Sequence, residues 1–150
     1  MNFEELVNEK FKSMLEAAFE YSDFNEEEIK LIYVFCSLEE GFYYDFFYRI
    51  GGEIVKKHLI NDFLISKCND SDEQQLAAVD IGLNDLIELE KLFIENEKDL
   101  PTQIKIKYVV KDQSIDTDMV YSQNLIGTNK DDLELRNEWI ESLQKSINIA

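Results

Sequence analysis

The hydrophobic period of this chain switches back and forth along its 150 residues, and the switches restrict what it can fold into. Phe3, Leu6, Val7, Phe11, Met14, Leu15, Ala18 and Phe19 recur at steps of three and four, which puts them on one face of a helix over residues 3–21. Glu5, Glu9, Lys12, Glu16 and Glu20 take the opposite face. Residues 29–37 are rich in β-branched and aromatic side chains and predict a strand. Leu38-Glu39-Glu40-Gly41 is a hairpin connection, with glycine where a positive φ is needed. Residues 42–50 return as a second strand, Gly51-Gly52 turns the chain, and residues 53–60 fit a third. Ser71-Asp72-Glu73-Gln74 is a capping box that starts a long helix, which runs to about Glu97 before Pro101. Its buried stripe is predicted as Leu76, Val79, Leu83, Leu86, Ile87, Phe93 and Ile94. Residues 103–110 alternate, with Ile104, Ile106 and Tyr108 on one side and lysines facing water. Residues 114–121 form another strand and residues 131–147 a last helix. The order α-β-β-β-α-β-β-α predicts a single α+β domain over residues 1–150, with an antiparallel five-stranded sheet and three helices in two layers.

Charge is distributed very unevenly over these elements. Residues 1–28 hold nine acids against two lysines, and residues 70–99 ten against two. These stretches account for −15 of the net charge of −17. An acidic surface repels nucleic acid and anionic lipid and attracts basic protein. The expected partner is therefore a basic protein, not DNA, RNA or a membrane. An aromatic content of 12% excludes an acidic disordered tail. The N-terminus has neither the basic nor the apolar region of a signal peptide, and apolar runs stay under ten residues. Cys36 and Cys68 lack motif spacing and read as reduced thiols, which predicts a cytoplasmic protein.

Chemistry is hard to find. His58, the only histidine, stands beside Lys56 and Lys57 with no nucleophile or orienting partner in view. There is no nucleophile elbow, phosphate loop or Cys-x-x-Cys. Asp112, Asp116 and Asp118 lack the glycine and terminal glutamate of an EF-hand loop. No catalytic residue, metal site or cofactor is expected. Gly82 lies inside the long helix, where it either admits close packing on the sheet or is an unoptimised position costing about 1 kcal/mol relative to alanine. The aromatic strand Phe42–Tyr48 is either a central strand covered by helices on one side with tyrosines tolerated on the other, or its second face is a contact surface. Ile81 and Leu89 fall away from the predicted stripe, among Asp85, Glu88 and Glu95. The expected partner-binding residues are Glu26, Glu27, Glu28, Asp85, Glu88 and Glu95 for attraction, with Tyr43, Ile81 and Leu89 as anchors.

Four segments in this order resemble the YezG-like antitoxin or immunity proteins of Gram-positive bacteria. They are the hairpin from Leu31-Ile32-Tyr33-Val34-Phe35 to Phe42-Tyr43-Tyr44-Asp45-Phe46, the acidic helix from Asp72 to Glu97, the segment from Pro101 to Tyr121, and Arg136-Asn137-Glu138-Trp139. The resemblance implies a cytoplasmic antidote that binds and silences the nuclease domain of a cognate secreted toxin. A rival reading comes from another class. Type III class I secretion chaperones are also small, acidic and built helix–strands–helix–strands–helix, and they hold an unfolded effector segment as homodimers. The sequence leaves the oligomeric state open.

Overall fold

The computed structural model describes residues 1–149. Its order is α1 (Phe3–Tyr21), β1 (Ile29–Ser37), β2 (Tyr43–Ile50), β3 (Glu53–Lys56), α2 (Asp72–Glu95), β4 (Gln103–Val109), β5 (Ser114–Val120) and α3 (Asp132–Ile149), with a 3-10 turn at Lys57–Asp62. The strands form one antiparallel sheet in the order β3-β2-β1-β4-β5. The expected α+β fold, strand number and element order are all present.

Helices α1 and α2 lie on one face of the sheet. Asn2 Oδ1 caps α1 by accepting from the Glu5 N–H at 2.9 Å, and Ser71 Oγ caps α2 by accepting from the Gln74 N–H at 3.3 Å. The helices run antiparallel, since Phe3 at the start of α1 meets Phe93 near the end of α2 with ring centroids 5.1 Å apart. Beneath them lie Ile32, Val34, Cys36, Tyr44, Phe46, Tyr48, Ile104 and Ile106, all buried. Two tyrosines of β2 reach up to α1: Tyr44 Oη donates to the Met14 carbonyl at 2.6 Å, and Tyr48 Oη donates to that of Ala18.

The expectation of two layers is corrected by α3, which lies on the opposite face. Trp139 packs there on Tyr33, Phe35 and Phe47, with centroids 5.3–6.2 Å apart. The reason is visible in β1, which is buried on both faces and so lacks the alternation of a half-exposed strand. The second aromatic face is thus an internal contact, and the helix that covers it comes from the far end of the chain.

One boundary and one buried face also differ. The third strand stops at Lys56 because the chain winds into the 3-10 turn, which buries Ile60 completely and sends Lys57 toward Asp45. The predicted stripe of α2 is turned by about one residue, roughly 100°. The buried residues are Ala78, Gly82, Asp85, Leu86, Leu89 and Phe93, while Leu76, Ile87 and Ile94 are exposed. Gly82 sets this rotation. A Cβ there would lie 2.2 Å from Cδ2 of Tyr44, so only glycine lets the helix rest on that ring.

Candidate functional site

The antiparallel packing of α1 and α2 merges the two acidic stretches into one layer. Glu5, Glu9, Glu16 and Glu20 of α1 and Asp72, Glu73, Asp80, Glu88 and Glu95 of α2 are all exposed. Of these nine carboxylates only Glu88 has an ion-pair partner among the described residues, Lys91 at 3.6 Å, and both of those side chains are at least half exposed. Neither helix has a basic residue in its last turn. The dipole favours the acids of the first turns, Glu4 and Glu5 in α1 and Asp72 and Glu73 in α2, and disfavours those at the far ends, with Glu20 and Asp23 closing α1 and Glu95, Glu97 and Asp99 closing α2.

The expected binding residues do not form one patch. Glu26 and Glu27 are exposed beyond the end of α1, beside Ser66 and Lys67 in the segment that leads to α2. Glu88 and Glu95 lie toward the other end of the layer, and Ile81 lies between, 42% exposed. Three expectations are corrected. Leu89 is fully buried and cannot anchor a partner. Asp85 faces α1 and is 7% exposed, with Oδ2 unpartnered. Burial pushes its carboxyl up, against the opposing pull of Ser13 and Lys10. Glu28 is committed to the fold, because its carboxylate accepts from the N–H groups of Ile65 and Ser66 at 2.7 and 3.0 Å and from Asn25 Nδ2 at 2.8 Å. Those bonds hold it below the usual carboxylate range. Tyr43 is half-buried against Phe35, its hydroxyl 3.4 Å from Asp45.

The sequence reading missed the buried charges beneath α3. Asp45 is 3% exposed. Its Oδ1 accepts from Lys57 Nζ at 2.7 Å and from the Phe46 N–H at 2.8 Å, and its Oδ2 accepts from Arg136 Nη1 at 2.5 Å. One carboxylate answered by two cations leaves no free base, and the cluster ties α3 and the 3-10 turn to β2. An aspartate inside an aromatic strand was the available signal, since a buried acid needs a paired cation. His58 is exposed on the turn. Among the described residues no group of three or more His, Cys, Asp or Glu side chains is placed to hold a metal ion, and no helix is long and apolar enough to cross a membrane.

No protein-family model matches this chain, and a comparison with characterised proteins finds no significant relative.

Proposed function

We propose that this protein is a cytoplasmic immunity protein or antitoxin that binds and neutralises a basic toxin domain, a nuclease by its charge logic, without catalysing a reaction. The observation that carries the reading is the outer face of α1 and α2, where nine exposed carboxylates share one ion pair. Nuclease domains are basic where they hold phosphate, and a rigid acidic layer competes for that surface. The same charge speeds encounter. Exposed ion pairs contribute only about 0–1 kcal/mol each, so affinity also needs desolvated apolar anchors. Ile81, exposed among the acids, is one such group.

The test is made with the product of the neighbouring gene. One equivalent of this protein should abolish its nuclease activity, and Glu88→Lys with Glu95→Lys should slow association at least tenfold and flatten its salt dependence. An unchanged association rate removes this face from the mechanism. Recovery of an unfolded secretion substrate instead of a folded basic domain favours the chaperone reading. One observation speaks for that alternative: Leu76, Ile87 and Ile94 form an exposed apolar flank on α2 of the kind a homodimer would cover.

A further inference from the structure

We infer that β5 is a docking edge that accepts, as a sixth strand, an extended protein segment in which lysine or arginine alternates with apolar residues. The sheet ends at β5, whose outer backbone groups have no strand to pair with. Every residue of β5 except Val120 is exposed. Its two faces differ in chemistry. Toward the helices it presents Ile115, Thr117 and Met119, and toward the other side Asp116 and Asp118.

Helix α1 does not reach over this edge and leaves a trough beside it with an apolar floor. A cleft of about 640 Å³ lies between Phe3, Val7, Phe11 and Phe93 on the helices and Met119 and Tyr121 at the edge, with Glu4, Asn8, Lys98 and Asp99 at its polar side. A second of about 280 Å³ lies between Leu15 and Phe19 and Tyr108 and Ile115. Ile115, Met119 and Tyr121 remain 41%, 38% and 53% exposed as a result. The apolar side chains of an added strand would extend into this trough.

The strand β5 already pairs with indicates what its free edge would accept. Strand β4 sets Ile104, Ile106 and Tyr108 beside Met119, Thr117 and Ile115, and Lys105 and Lys107 beside Asp118 and Asp116. Neither aspartate forms an ion pair with these lysines, and Lys105 Nζ sits 5.6 Å from the centre of the Trp139 ring. Both carboxylates are thus free to meet a cation from the open side. A second copy of this chain does not fit. Every symmetric antiparallel register that pairs five or more residues of β5 sets an aspartate against an aspartate: Asp116 against Asp118, or either against itself. Like charges directly opposite destabilise a strand pair. A basic and apolar segment of another protein has the matching pattern.

The probe is a capped peptide with the sequence of β4 and the next residue, Gln-Ile-Lys-Ile-Lys-Tyr-Val-Val, which carries the required alternation. On binding the whole protein it should slow amide exchange within residues 114–120, and a scrambled peptide with adjacent lysines should bind at least tenfold more weakly. Asp116→Lys with Asp118→Lys should weaken the lysine peptide at least tenfold and bind the peptide with both lysines changed to glutamate. Asp116→Asn with Asp118→Asn keeps the fold free of new like charges and should weaken the salt dependence. Unchanged affinity in both variants, protection outside β5, or no binding at millimolar peptide would overturn the inference. None of these measurements involves a toxin, so they are independent of the charge reversals on α2.

Discussion

Substitution of Gly82 by alanine should destabilise the protein, although alanine is the better helix former. A Cβ at this position would lie 2.2 Å from Cδ2 and 2.3 Å from Cγ and Cε2 of Tyr44. Carbon atoms rest at about 3.5–4.0 Å, so the ring and the helix must separate by more than about 1 Å. Tyr44 cannot retreat, because it is 3% exposed and its hydroxyl is bonded to the Met14 carbonyl at 2.6 Å. Helix α2 must therefore lift, loosening the contacts of Ala78, Leu86, Leu89 and Phe93. A gap of about 0.5–1 Å already forfeits a quarter to a half of each contact's attraction. Overpacking costs about 1–3 kcal/mol, and this geometry belongs at the upper end. Set against a gain of about 1 kcal/mol in helix propensity, the net loss is about 2 kcal/mol. That corresponds to a fall of roughly 4–8 °C in Tm for a chain of this size. Urea unfolding of Gly82→Ala in the natural and Tyr44→Ala backgrounds separates the two terms. With the ring removed, the alanine should stabilise by about 0.5–1 kcal/mol. A Gly82→Ala protein as stable as the parent, or an equal penalty in both backgrounds, would refute the close-packing explanation.

Asp85→Asn should raise stability at pH 7 by about 1 kcal/mol, since it removes a buried and partly unpartnered carboxylate. Burial lifts the folded-state carboxyl of Asp85 above its unfolded value, so its contribution is fully present at low pH and lost as pH rises through the folded value. The gain should therefore shrink toward pH 3, as read from urea midpoints across that range. Arg136→Met should cost about 3 kcal/mol by leaving Asp45 with Lys57 alone, and emission from Trp139 should shift to the red as α3 loosens. Glu39→Gln should speed amide exchange at Asn124, Leu125 and Ile126, whose N–H groups donate to its carboxylate at 2.6–3.1 Å. Partial burial pushes that carboxyl up, but those three donors outweigh it and hold it below the usual range. The natural loop should accordingly lose protection as pH falls through the depressed value, and the variant should show no such step.

Much of the fold could be read from the sequence because it is encoded by local periodicity. Strand β4 shows this best, with Ile104 and Ile106 buried and Lys105 and Lys107 on the other face, although Lys105 meets the Trp139 ring there where water was expected. What escaped depends on contacts between residues far apart in the chain. An aromatic strand does not reveal which helix will cover it, and Trp139 reaches Tyr33 and Phe47 from over 90 positions away. The rotation of α2 turns on one glycine meeting one tyrosine from another element, so the apolar pattern alone favoured the wrong face. The candidate site was legible as charge and illegible as geometry. Glu28 and Asp85 look like any other surface acid until the chain places Ile65 beside one and α1 over the other.

A surface charged for solubility and one charged for contact would distribute their charge differently. Net charge of either kind keeps a protein soluble, and it does so best when spread over the surface. Here the stretches that form β1–β3 and β4–α3 sum to zero and −2, while the layer of α1 and α2 holds nearly all the excess. The apolar core beneath that layer does not require it, since most of these carboxylates bond to nothing in the chain. First-turn acids suit the dipoles of both helices, but acids also stand at the negative ends, with no basic residue in either last turn. Antiparallel packing then sets one such end at each extreme of the layer, near Glu26 and Glu27 and near Glu95 and Glu97. The crowding of like charge at both ends would be relieved by a cationic surface long enough to span them. A single arginine or a small polyamine would reach only one end. A folded basic domain facing the whole layer would reach both, which is why the size of the partner, as well as its sign, belongs in the proposed function.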